Sequence, residues 1–512
     1  MNRIIIRSFF LLFVFISSER SFPVYAESSG NQMNIIVISV TPLRADTLGC
    51  YGNERNVTPN IDSLARESLV FENAYAHESL TVPSLATLLT SLCANNHNVL
   101  QFEESFDLSP RISTLQEILK ENGYMTFLMD QDRHVRSGAE RGFDHIDTGS
   151  VNSSKMEKFL DIASEEKFFL LINTLDLHDP YTPADDTVLM FADKIKKKNL
   201  NSKKYLRTKA LTRVAADPAM VFTRNAIQDY GRILNAPVND SKRRKAWDLY
   251  NELNSDPEKR RIYIHRSLFS IRRELFWANF DPDDNEDVEY ARLLYDAKMY
   301  EIDRAIGSML NMLRERGLMD NTIVIFTSPH GEQFGGHGIF LHSGLYLETL
   351  HVPLLLRIPG KTSKSIRVSA KAGLIDIMPT LLYLNNIEIP GYVQGVNLLQ
   401  LIKDSDQYSE RKIFAEEHIG ISPIGGSSDA AFSLIKGEFH YISRFSGIGR
   451  LLKLRGDSQE LYNIVSDPRE TTNLIKINEN IMTEMRIDLI ESVNDMGERT
   501  ADTQRPLYRL EE

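Results

Sequence analysis

The sequence predicts an α/β fold: a large, mainly parallel sheet sandwiched by helices, followed by a small antiparallel sheet. Three observations carry that expectation. Apolar runs at 34–40, 167–172, 322–327 and 352–358 are rich in Ile, Val, Leu and Phe without polar alternation, as strands covered on both faces require. Helical patterns with readable ends lie between them. Further strand-like runs at 412–414, 431–435 and 451–454 crowd into the tail, which suggests a second, smaller sheet.

Taken in order, residues 1–26 have the make-up of a secretory signal. Arg3 and Arg7 supply charge, 9–16 is apolar, and Val24-Tyr25-Ala26 offers small residues for cleavage before Glu27. That apolar run is well short of the roughly 20 residues a transmembrane helix needs, and no later run is long enough. The expectation is a secreted or periplasmic protein with no transmembrane span after cleavage. Thr58 reads as an N-cap ahead of Pro59, and Ser113 with Gln116 reads as a capping box before Leu115, Ile118 and Leu119. A helix over 296–316 carries Met299, Ile302, Ile306, Met309 and Leu313 on one face and stops at Gly317.

Two regions break this rhythm. Residues 194–273 are rich in Lys and Arg, with clusters at 196–198 and 242–245, and an acidic run follows at 281–289. We read a helical basic insertion at about 190–289 within an α/β domain of 33–400, then an α+β subdomain of 410–512. The basic clusters read as solvated helix faces; the alternative is a landing surface for sulfated or phosphorylated polymers or anionic lipid.

At 512 residues, 42% hydrophobic and 25% charged, the chain has ample material for a core. A formal charge of −11 argues against nucleic acid as a partner. Cys50 and Cys93 are the only cysteines, so no disulfide framework holds the chain; one bridge and two free thiols both stay open.

The chemistry gathers at strand ends. Leu85, Leu88, Leu89 and Leu92 recur at helical spacing after Pro83 and Ser84, placing Thr81 at a helix N-terminus. Unpaired N–H groups there would face an oxyanion, with Thr81 and Ser84 hydroxyls beside it. The loop after Phe326 brings His330, Glu332, His337 and His342, and the one after Ile172 leads to His178-Asp179-Pro180-Tyr181. Polar groups beyond the carboxyl ends of parallel strands are where such folds bind ligands. Any one of these histidines is more often structural; several together shift the balance.

A set of ordered motifs then resembles the sulfatase family of the alkaline phosphatase superfamily, from about Met33 to about Leu474. They include Leu43-Arg44-Ala45-Asp46 with Leu48-Gly49-Cys50-Tyr51-Gly52, Thr58-Pro59-Asn60-Ile61-Asp62, and His178 with Pro180-Tyr181. Tyr295-Asp296-Ala297 through Asp303 and Ile306-Gly307, His330-Gly331-Glu332 with Gly336-His337-Gly338, and Glu460-Leu461-Tyr462-Asn463 follow. The resemblance implies a large mixed sheet between helices, then a small sheet domain.

It also implies a calcium ion held by two aspartates after the first strand and by an aspartate followed by asparagine or histidine in the late turn. Here those positions are Thr41, Pro42, Pro329 and His330, and only His330 keeps a weak claim to a metal. The cysteine or serine that sulfatases convert to formylglycine corresponds to Thr81, which cannot yield the aldehyde. The arginine of the pattern is Leu85, and Gln131 stands near an expected lysine; His342 corresponds to a lysine or histidine. The resemblance so altered implies a protein without ordinary sulfatase chemistry and with no cofactor, binding an anionic ester or a sulfated or phosphorylated glycan through Thr81, His178, His342, Ser84 and His337. The alternative is an active ester hydrolase or transferase with Thr81 as nucleophile and a rearranged divalent metal, calcium or zinc, the latter on His330 and other histidines with Glu332 or Asp46.

Overall fold

Successive residues of the first strand enter two different cores. A computed structural model describes residues 32–100, 107–131, 133–163, 166–192, 276–277, 280–281, 283–403, 408, 410–419, 429–445 and 458–499. In β1 (Asn34–Val40) the side chains of Ile35 and Val37 join one apolar cluster, and those of Ile36, Ile38 and Val40 the other. The strand alternates between faces although its sequence does not alternate in polarity, because helices cover both faces.

Seven more described strands complete this sheet: β2 (Leu69–Tyr75), β3 (Met125–Asp130), β4 (His145–Thr148), β5 (Phe168–Thr174), β6 (Thr322–Thr327), β9 (Leu354–Arg357) and β10 (Ile366–Gly373). Their order is β10-β2-β9-β6-β1-β5-β3-β4. β6, β1, β5, β3 and β4 run parallel, whereas β9 pairs antiparallel with both β2 and β6, so the sheet is mixed. β7 (Gln333–Phe334) and β8 (Phe340–Leu341) form a small hairpin after β6.

A second, antiparallel sheet has the order β11 (Ile413–Ile419), β12 (Asp429–Lys436), β13 (Phe439–Phe445), β14 (Ser458–Asn463). It has its own core of Phe414, Phe432, Leu434, Tyr441 and Leu461, closed by Met485, Leu489 and Val493 of the helix Glu479–Arg499. No helix of the described residues is long and apolar enough to cross a membrane.

Several sequence expectations shift. The capping box belongs to Thr114 and Glu117, one residue beyond Ser113 and Gln116: Thr114 N–H donates to Glu117 Oε2 at 2.9 Å. Gln116 instead turns its amide inward, donating to the carbonyls of Ala139 and Arg141. The long helix begins at Asn285, not 296, because Asp284 from the acidic run caps it and Glu286 and Asp287 occupy its first turn. Thr58 precedes α1 (Pro59–Ala65) but makes no side-chain cap; it donates to Asp62 and accepts from Gly49 N–H. Cys50 and Cys93 are free thiols. Residues 1–26, the basic clusters of 194–273, and 451–454 lie outside the described residues.

Candidate functional site

Three adjacent parallel strands deliver the site. The carboxyl end of β1 leads to Thr41 and Pro42, that of β5 to Asn173 and then His178, and that of β6 to Ser328, Pro329 and His330. Facing them, α2 (Thr81–Thr90) presents its first residue, and every residue of this helix is buried. Thr81 is therefore held at the positive end of a packed helix dipole.

Thr81 Oγ1 lies 2.9 Å from His330 Nε2. On the far side of that ring, Nδ1 is 3.0 Å from the carbonyl of Gly331. A carbonyl only accepts, so Nδ1 carries the proton and neutral His330 offers Nε2 as acceptor to the Thr81 hydroxyl. Burial pushes the His330 pKa well below the ordinary value, and the nearby His342 and His178 add to that. The pair has the geometry of a hydroxyl and its base.

The histidines form a chain of contacts. His342 packs on His330 at 4.7 Å between centroids and on His178 edge-to-face at 5.0 Å. Buried carboxylates anchor both ends: His342 Nδ1 is 3.4 Å from Glu332 Oε1, and His178 Nδ1 is 2.8 Å from Asp179 Oδ1. Tyr181 donates to Glu332 at 2.9 Å, and Trp277 Nε1 to Asp179 at 2.8 Å. Burial opposes the charged form of His178, but the Asp179 hydrogen bond and charge, with Glu332, outweigh it and raise its pKa. The sequence reading missed His134, whose pKa burial pushes down to about 3 with help from His178, Arg136, His330 and His342. It follows β3, so the same strand-end rule would have found it had β3 been read as a strand.

The remaining candidates have other engagements. Ser84 is buried and its hydroxyl donates to the Glu78 carbonyl at 3.2 Å. His337 is exposed, stacked on Tyr346 at 3.6 Å; among the described residues no ring contact links it to His330, His342 or His178. Leu85 is fully buried. Gln131 is spent on the β5 turn, accepting from Thr174 and Leu175 and donating to Asp176.

The positions that would hold calcium do not fit it. The Thr41 hydroxyl donates to Asn173 Oδ1 at 3.1 Å, and the Pro42 carbonyl accepts from Tyr295 at 2.9 Å. Pro329 has no side-chain donor atom, and His330 turns to Thr81. Calcium takes six to eight oxygen ligands, and this set offers no carboxylate. Asp46 is engaged by Arg44 through both oxygens and by Arg292. Among the described residues, no group of three or more His, Cys, Asp or Glu ligand atoms that includes His330 converges.

Comparisons with known proteins agree with this architecture. A family model described as sulfatase matches residues 33–387, and one described as N-sulphoglucosamine sulphohydrolase, C-terminal, matches 335–498. The chain is 25% identical over 484 residues to an N-acetylglucosamine-6-O-sulfatase of Bacteroides thetaiotaomicron, covering 86% of this chain and 82% of the relative. It is 24% identical over 504 residues to an arylsulfatase of Clostridium perfringens, covering 90% and 93%. Among solved structures, a protein in complex with its substrate D-glucosamine-2-N,6-O-disulfate superposes with a TM-score of 0.63 at 19% identity, over 93% of this chain and 99% of that one. A phosphonate monoester hydrolase of Agrobacterium radiobacter superposes with a TM-score of 0.63 at 18% identity, over 92% and 96%; at such identities the likeness speaks for the fold. With a matched family model spanning most of its length, this chain belongs to the sulfatase family of the alkaline phosphatase superfamily.

Proposed function

We propose that this sulfatase-family protein binds an anionic ester, of the kind carried by sulfated or phosphorylated glycans, beside Thr81 and does not carry out ordinary metal-assisted sulfate ester hydrolysis. The observation that carries the reading is the donor set at Thr41, Pro42, Pro329 and His330, which has no carboxylate to hold a divalent cation. What remains suits recognition: the N-terminus of α2, a hydroxyl, and His178 and His342 at the strand ends. The relatives' substrates point to the ligand class, since one structural neighbour holds a disulfated glucosamine. The leader at 1–26 supports action in a secreted or periplasmic setting.

Magnitudes favour this reading. Ester hydrolysis of this class asks for roughly 20 kcal/mol of barrier reduction. A positioned base supplies on the order of 3–5 kcal/mol and an oxyanion donor about 3–4 kcal/mol; the surviving groups fall short of the sum.

The Thr81–His330 hydrogen bond favours a second reading. In it the Thr81 oxygen attacks sulfur or phosphorus as its proton passes to His330 Nε2, the bond to the substrate oxygen breaks, the alcohol leaves with the proton from His330, and water then releases sulfate or phosphate from Thr81. One experiment separates the two. Full-length protein is mixed with glucosamine disulfate, aryl sulfates and phosphodiesters, with calorimetry for binding and product release for turnover. Binding without turnover supports the first reading; turnover that Thr81→Ala abolishes overturns it in favour of the second.

A further inference from the structure

We infer that Glu78, Glu416 and His418 form a divalent-cation site of zinc type at the seam between the two sheets, apart from the histidine pocket. One ligand atom from each lies within 4.8 Å of the others, and all three residues are buried. Glu78 sits in the loop leading into α2, three residues before Thr81; Glu416 and His418 project from one side of edge strand β11, two residues apart.

A cluster of acids is not in itself a site, and a second observation points to a ligand here. Glu78 is 1% exposed, and no described residue donates a hydrogen bond to its Oε1. The partners of Glu416 are in place: Asn95 N–H reaches Oε1 at 2.8 Å, and His418 Nε2 lies 2.9 Å from Oε2. The frame around them is rigid. Glu78 and Glu416 face each other across a β-bridge, and Glu416 N–H donates to the His77 carbonyl at 2.9 Å. Glu417, alongside, is satisfied by Ser79 and by Gly344 N–H.

Charge gives the reason. Two buried carboxylates with one imidazole carry at least one uncompensated negative charge unless a proton or a cation joins them, and an unpaired buried charge is costly. A divalent ion supplies the missing positive charge. Zinc bonds of about 2.0–2.2 Å to oxygen and nitrogen place ligands roughly 3.5 Å apart, inside the 4.8 Å within which these ligand atoms already lie. One imidazole with two carboxylates favours zinc over calcium. The closed, buried setting fits a structural ion that braces the Thr81 loop against the C-terminal sheet.

The test uses chelator-treated full-length protein loaded with zinc chloride. We expect one zinc per chain after gel filtration, with an X-ray absorption spectrum showing one imidazole and otherwise oxygen ligands. Glu78→Gln and His418→Gln should weaken zinc by more than about 100-fold, beyond the roughly 10–100-fold that losing an outer-shell partner costs, while Thr81→Ala keeps it. Should the variants fail to fold, the wild-type spectrum decides. Absence of stoichiometric zinc overturns this inference and leaves the function proposed above untouched. A spectrum with two or more imidazoles that His330→Gln abolishes places the ion on the His330 group and overturns both.

Discussion

At the scale of residues, the site turns on one hydroxyl and one imidazole. Thr81→Ala leaves His330 Nε2 buried without its hydroxyl, so we expect a loss of about 1–2 kcal/mol in urea unfolding, with Thr81→Ser near wild type. His330 also has a pH signature. Its folded pKa is depressed, so as pH falls the unfolded chain takes up the proton first; the stability it contributes is fully present above about pH 6.5 and is lost below it. His330→Gln should therefore show a shallower stability loss between roughly pH 6.5 and 5, by up to one proton, or about 1.4 kcal/mol per pH unit. His97 and His134, both pushed down to about 3, act in the same window. The raised carboxylates Asp62, Asp296 and Asp303 act in the opposite sense, so the difference between variant and wild type is the measurement.

At the scale of elements, long-range partners do what local sequence cannot announce. The N-terminus of α1 is capped by Asp303, from the helix Asn285–Glu315: it accepts from Asn60 N–H, Asn60 Nδ2 and Ile61 N–H at 2.7–3.1 Å. One turn on, a Cβ at Gly307 would stand 2.4 Å from the Asn60 side chain, so only glycine lets these helices approach. Asp303→Ala should destabilise the protein by about 3 kcal/mol, since several bonds to one carboxylate go together; denaturant midpoints at constant m-value check it. The same logic marks what was legible. Doubly covered strands such as β1 and β6 announce themselves by unbroken apolar runs. β3, with Met, Thr and Asp in six residues, and β10, whose outer face is polar, do not. The clustering of His178, His330 and His342 follows from strand ends alone, but the neutral state of His330 needed the Gly331 carbonyl, which only the folded turn supplies.

At the scale of the whole molecule, the two sheets are joined by buried polar contacts as well as apolar packing. Arg411, just before β11, donates to both oxygens of fully buried Asp376 and to the Lys371 carbonyl. Arg411→Ala removes that carboxylate's ion-pair partner, leaving it the N–H groups of Gly373 and Val396, and should cost about 3 kcal/mol, read as a drop in the calorimetric melting temperature. The family architecture is thus intact, while the corner where the resemblance puts a cation is built from Thr41, Pro42 and Pro329. Anomalous diffraction at the manganese and zinc edges, from crystals grown with both ions in excess, addresses that corner directly. We predict no peak within coordination distance of Thr81 Oγ1, whatever is found at Glu78. A peak bridging Thr81 and His330 would contradict the account.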